Sequence, residues 1–243
     1  MRLRSVAAHV AGQNWLAVGI DLVIVVVGVF LGIQLGNWNA ARADEQRHEA
    51  ALDQLAEEIA ANRLIVQDYR ATYEERVDTV QRSADLLRQC ASGPEVLAEV
   101  EAGLQLLRGT PGFYPQTSAI RALTEDDSLK RQQGEVERQA LQELRRIIER
   151  IDDGAAFLED IPFRNPIEAH PIIAYASSLT DDSAETGLYR DIVLTVPLSE
   201  ACRDADLLKA LYSYERVGSF SLRLADMADD ILDRTTTTLG LQD

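Results

Sequence analysis

The side chains best placed to do chemistry are few and scattered. Three histidines, His9, His48 and His170, occur in the chain, and no two of them have the spacing of metal ligands. Acid pairs recur at Asp126-Asp127, Asp152-Asp153, Asp181-Asp182 and Asp229-Asp230. Adjacent carboxylates can hold a divalent cation, but a calcium loop needs oxygen ligands at fixed offsets around a glycine, and no such loop is present. In a chain with 40 Asp and Glu these pairs read as solvated surface. No GxSxG, HExxH, GxGxxG or phosphate-binding loop occurs. The expectation is therefore no catalytic residue, no metal ligand and no cofactor; an enzyme built on this chain would use an unrecognised site.

Cys90 and Cys202 are the two cysteines. Neither belongs to a CxxC pair, which disfavours zinc and thiol-redox chemistry. Two thiols near the predicted ends of long helices suit a single disulfide in an oxidising compartment; the alternative is two free buried thiols.

One ionisable residue stands in an unusual place. Asp21 lies inside Leu16–Gly36, an apolar run with Gln34 as its other polar interruption. A membrane-spanning helix needs about 20 mostly apolar residues. Trp15 and Trp38 bracket the run, roughly 35 Å apart at about 1.5 Å per residue, which suits interfacial anchors at the two faces of a bilayer core. Gly28, Gly32 and Gly36 repeat at four-residue spacing, so they share one face along which a second helix backbone can approach closely. Asp21 precedes Gly28 by seven residues and lies near that face. It either packs in a helix–helix interface with the glycines or snorkels to the membrane surface.

Lys and Arg balance across the run, with Arg2 and Arg4 before it and Arg42 and Arg47 after it. The terminal amine tips the balance toward a cytoplasmic N-terminus. The resulting layout is a short cytoplasmic tail over 1–14, a transmembrane helix over 15–38 and an extracytoplasmic domain over 39–243. The competing reading is a signal peptide with an unusually long apolar core, for which Ala41-Arg42-Ala43 is the small-x-small site.

The formal charge of the chain is −16, from 24 Lys and Arg against 40 Asp and Glu. Such acidity argues against nucleic acid as a partner, because phosphates call for Lys and Arg. It also argues against a domain lying flat on anionic lipid.

The elements that would position these residues are helical. Residues 37–92 contain neither Gly nor Pro from Trp38 onward to Ser92. Leu52, Leu55, Ile59, Val66, Tyr69, Tyr73, Val77, Val80, Ala84 and Leu87 alternate by three and four, a stripe of about five heptads that suits a coiled coil or bundle. Asn62 interrupts it, either to set register in a seam or as a solvated position. With no breaker between Trp38 and Leu52, the apolar helix is expected to run on unbroken and to stop at Ser92-Gly93-Pro94.

Further helices are predicted over Pro94–Leu107, Ala119–Leu123 and Glu135–Leu158, with Gly154 weakening the last turns of the third. Gly109–Pro115 reads as a turn-rich loop and 124–134 as a polar connection. Residues 161–200, broken by Pro162, Pro166, Pro171 and Pro197, read as an irregular insertion with a short strand in Asp191–Val196. A last helix starts at an Asp204 cap and runs to about Arg234, before a frayed TTTTLGLQD. The fold class is all-α: a transmembrane helix continuing into a long-helix bundle.

The acidic apolar helix running into Gly36-Asn37-Trp38-Asn39 and then Ala41-Arg42 resembles a group of bacterial single-pass membrane proteins of unknown function. Phe113-Tyr114-Pro115 followed by Thr117–Leu123 resembles the aromatic–proline turn and short helix of that group. The charged residue that usually follows the Asn is replaced here by Ala40. The resemblance implies a bacterial membrane anchor followed by a helical domain, and implies no activity; with the charge balance above, the expected location is the bacterial inner membrane with the domain on the periplasmic side.

The expected function is that of a membrane interaction or assembly protein. Its partners would be lipid and either a second copy of itself or another membrane protein. The alternatives are a periplasmic ligand-binding sensory module without its own output domain, for which 161–200 would line the pocket, and an unrecognised enzyme.

Overall fold

The structure is a computed structural model. It describes residues 15–177, 180–182 and 187–241, without the side chains of 15–18, 180–182 and 187–189. The predicted tail over 1–14, with His9, lies outside the described residues, as do the side chains of Trp15, Asp181 and Asp182. The chain is all-α apart from two short hairpin pairings. It divides into two compact units, Met1–Ala50 and Ala51–Asp243.

The first helix, α1, is Trp15–Arg88, a single helix of 74 residues, so the expected unbroken run is present. It stops four residues before Ser92. Cys90 takes a left-handed conformation, φ 47°, its N–H donates to Leu87 O at 2.9 Å, and the Ala91 N–H donates to Leu86 O at 3.1 Å. This double return bond closes the helix end in the geometry usually reserved for glycine. Gly93 at φ 131° then turns the chain, and Pro94 opens α2, Pro94–Leu106.

Two helices follow, α3 at Ser118–Glu125 and α4 at Asp127–Gln132. The second corrects the expectation of a plain polar connection. Asp126 accepts from the Ser128 N–H at 2.7 Å and so caps a helix too short to show an apolar period. The buried Gln133 Nε2 donates to Leu123 O at 2.8 Å and ties the two helices together.

Helix α5 is Glu135–Arg164, six residues longer than predicted. Gly154 does not weaken it: a Cβ there would lie 2.8 Å from Leu224 Cδ1, so the glycine is what lets the last helix approach. Pro162 sits inside the helix and is buried.

The stretch after α5 is only partly irregular. A 3-10 turn at Ile167–Ala169 leads into β1, Ile173–Tyr175. Strands β2, Thr180–Asp182, and β3, Gly187–Tyr189, pair antiparallel inside it. Strand β4, Ile192–Leu194, returns on β1 with Ala174 opposite Val193. This is the expected strand, within Asp191–Val196. A short α6, Leu198–Ala201, precedes α7, Ala205–Leu239. Asp204 caps α7 as expected, accepting from the N–H groups of Asp206 and Leu207 at 3.0 Å each. The Thr run is helical rather than frayed, because Thr235 is buried and Gly240, at φ 63°, closes the helix.

Two apolar cores hold the second unit. One is built from Leu55, Ile59, Val66 and Tyr73 of α1 against Leu123, Leu144, Ile151, Leu224 and Ile231. The other gathers Val80, Leu87, Leu104, Ile173, Ile192, Leu207 and Leu211 around Cys202. The heptad stripe of α1 is therefore buried by helices of its own chain. Cys90 and Cys202 form a disulfide with their Cα atoms 5.2 Å apart, which joins the end of α1 to the chain just before α7.

Candidate functional site

Within the first unit, the large apolar side chains from Ile20 to Trp38 are 48–64% exposed. Among the described residues no face of this segment packs on protein, and it is long and apolar enough to cross a membrane. Asp21 is exposed on it. Space around Gly28, Gly32 and Gly36 is open to 4 Å, so their shared face is available to a second helix. The Arg42 guanidinium lies 5.8 Å from the Trp38 ring centroid, a cation–π pairing at the polar end of the run.

In the second unit, the turn-rich loop is fixed by polar side chains that rise along α1. Buried Glu58 accepts from the Ser118 hydroxyl at 2.8 Å and from the Ala119 and Ile120 N–H groups at 2.7 and 3.2 Å. A carboxylate from α1 thus caps α3, whose own cap residue Thr117 makes no such bond. One turn on, Asn62 donates to Gln116 O at 3.0 Å and accepts from the Gln116 N–H at 2.7 Å. Asn62 is therefore a clamp on a loop of its own chain.

The ladder continues upward. The Tyr69 hydroxyl donates to Pro111 O at 3.2 Å. Burial pushes its pKa up to about 12, so it stays a neutral donor. The Arg76 guanidinium donates to the Tyr214 hydroxyl at 2.9 Å and to the carbonyls of Leu106 and Gly109 at 3.1 and 2.5 Å. From α5, Glu159 accepts from the Tyr114 hydroxyl at 2.9 Å. These groups are structural: each satisfies backbone or side-chain polar atoms that a packed loop would otherwise strand.

An open groove runs between α5 and α7. Its larger part, about 380 Å³, is floored by Phe157, Ile161, Val217 and Phe220 and edged by Arg164, Arg216 and Arg223. The two phenyl rings meet edge-on, centroids 6.3 Å apart. Arg164 and Arg223 each hold a guanidinium 5.9 Å from one of those rings. A second hollow of about 250 Å³ shares Ile161, Asn165, Ser213 and Val217 with the first and reaches Lys209. Arg164 pairs with Asp160, and Lys209 pairs with Asp206 at 2.7 Å. Among the described residues neither Arg216 nor Arg223 has an acidic partner.

The candidate residues of the sequence fall into place unevenly. His170 Nε2 lies 3.4 Å from Asp204 Oδ1, and His48 is buried far along the chain from it. Among the described residues no three His, Cys, Asp or Glu gather as a metal site. Of the acid pairs, Asp126 caps α4, Asp127 pairs with Lys130 at 2.6 Å, and Asp229 pairs with Arg70 at 2.6 Å. The groove went unread in the sequence, although Lys209, Arg216 and Arg223 stand at seven-residue intervals in a strongly acidic chain. Comparison with known protein families, with curated proteins and with solved structures yields no match for the chain.

Proposed function

We propose that the chain is a single-pass membrane protein whose work is to hold other chains, through its apolar helix and through its helical second unit. The observation that carries this reading is the segment Ile20–Trp38, apolar and exposed around its whole circumference. Water does not tolerate such a surface, and lipid does. The glycine face with Asp21 supports a helix–helix contact inside the membrane. The likeness of Asp21–Arg42 to bacterial single-pass membrane anchors supports the same placement. The disulfide supports a periplasmic location for the second unit, since such bonds persist in oxidising compartments.

The test is crosslinking with mass spectrometry on intact membranes, wild type against Gly32→Leu. A specific homodimer or partner adduct that disappears in the variant is expected. An adduct pattern unchanged by the substitution would leave the helix as a plain anchor. A second reading, a ligand-binding sensory module, is favoured by one observation, the apolar groove of about 380 Å³ between α5 and α7.

A further inference from the structure

The geometry points to the α5–α7 groove as the seat of an amphipathic helix from a partner protein, one carrying acidic residues at seven-residue intervals. Lys209, Arg216 and Arg223 stand in a row on α7, about 21 Å from first to last at 1.5 Å per residue. They border an apolar floor that includes Phe157 and Phe220. A floor of apolar side chains with charges repeating every heptad along its edge is the surface a helix in a coiled-coil-like packing meets.

The sign of the charge selects the partner. Lys209 is paired with Asp206, so the cationic character of the row rests on Arg216 and Arg223, which have no acidic partner among the described residues, in a chain of net charge −16. A neighbouring face of α7 already receives a helix in this manner. There Arg63 and Arg70 of α1, also seven apart, pair with Asp233 at 3.0 Å and with Asp226 and Asp229 at 2.7 and 2.6 Å. The groove repeats that arrangement with the signs exchanged and the second helix left to be supplied. Like charges placed against the row would be repelled, so the arginines set specificity as well as attraction.

This deepens the interaction reading above and rests on it, but its test is independent of the apolar helix. The full chain in nanodiscs is titrated into fluorescein-labelled peptides of about three heptads. Each has Leu at the core positions and either Glu or Lys at the flanking positions, and binding is read by fluorescence anisotropy. The Glu peptide is expected to bind at least about tenfold more tightly than the Lys peptide, with the preference shrinking at high salt. Arg216→Glu/Arg223→Glu is expected to reverse the preference while the far-UV circular dichroism stays unchanged, because both side chains are exposed.

Equal binding of the two peptides, binding of neither, or an unreversed preference in the double variant would overturn the inference. So would self-association of the wild type that the double variant abolishes, which would put a second copy in the groove. Binding of dodecanoate there without binding of the Glu peptide would make it a small-molecule site. Loss of the crosslinks in Gly32→Leu bears on the span alone and leaves the peptide result to stand or fall by itself.

Discussion

Glu58 is a buried carboxylate in the second unit. It is 5% exposed and accepts three hydrogen bonds at the start of α3. Glu58→Ala leaves those donors without a partner and is expected to cost about 2–4 kcal/mol, read from urea unfolding followed by circular dichroism. Glu58→Gln keeps an acceptor and is expected to lose less. Neither role was legible in sequence: Glu58 stands beside the apolar stripe as one more acid, and Asn62 read as a register residue or a solvated one. Their partner, the loop ending at Ser118, is about 60 residues away in the chain, and no local pattern links the two. Asp152 makes the opposite case. Burial holds its carboxyl above the usual carboxylate range, with Asp153 adding to the effect, and its Oδ1 is buried without a hydrogen-bond partner. The folded protein therefore binds that proton more tightly than the unfolded chain. Stability contributed at this site falls as pH rises from the ordinary carboxylate range through the raised value. Asp152→Asn is expected to raise the melting temperature near pH 7 and to bring no such gain near pH 3; an equal gain at both would refute the assignment.

At the scale of elements, the end of α1 carries a residue in a conformation that costs a side chain about 1–2 kcal/mol. Cys90 adopts it and is bonded to Cys202. Loss of the bridge is expected to cost about 2–5 kcal/mol, the range for removing a native disulfide. Cys90→Gly and Cys90→Ser lose it alike, but the glycine also relieves the left-handed cost. Cys90→Gly is therefore expected to be the more stable of the two by about 1 kcal/mol in chemical denaturation. Another close approach lies where α7 meets α1. A Cβ on Gly218 would collide with Val77 Cγ2, so Gly218→Ala is expected to destabilise by about 1–3 kcal/mol in the same assay. The long elements were legible because their periodicity is: the stripe of α1, the apolar face of α5 and the Asp204 cap of α7 all lie where the residues put them. The misses share a cause. Pro162 read as a breaker, and the Thr run read as a frayed end, because local propensity was weighed without the packing that buries Pro162 and Thr235.

At the scale of the whole molecule, charge is sorted by face where α7 packs. Arginines of α1 meet aspartates of α7, and Lys209, Arg216 and Arg223 of α7 border the groove it forms with α5. That sorting is invisible to net charge. The candidate groove escaped notice for a related reason. Phe157 and Phe220 lie far apart in sequence and become one floor only when α5 and α7 pack. The disulfide has a consequence of a mechanical kind. It joins two points 112 residues apart, so tension entering the second unit along α1 passes through the sulfur–sulfur bond into α7, and everything between is slack in the line of force. Pulled between residue 51 and the C-terminus in optical tweezers, the oxidised protein is expected to lengthen by roughly 400 Å less than the reduced one. Helices α2 to α5 and the strands would then carry no tension themselves while α1 and α7 are loaded.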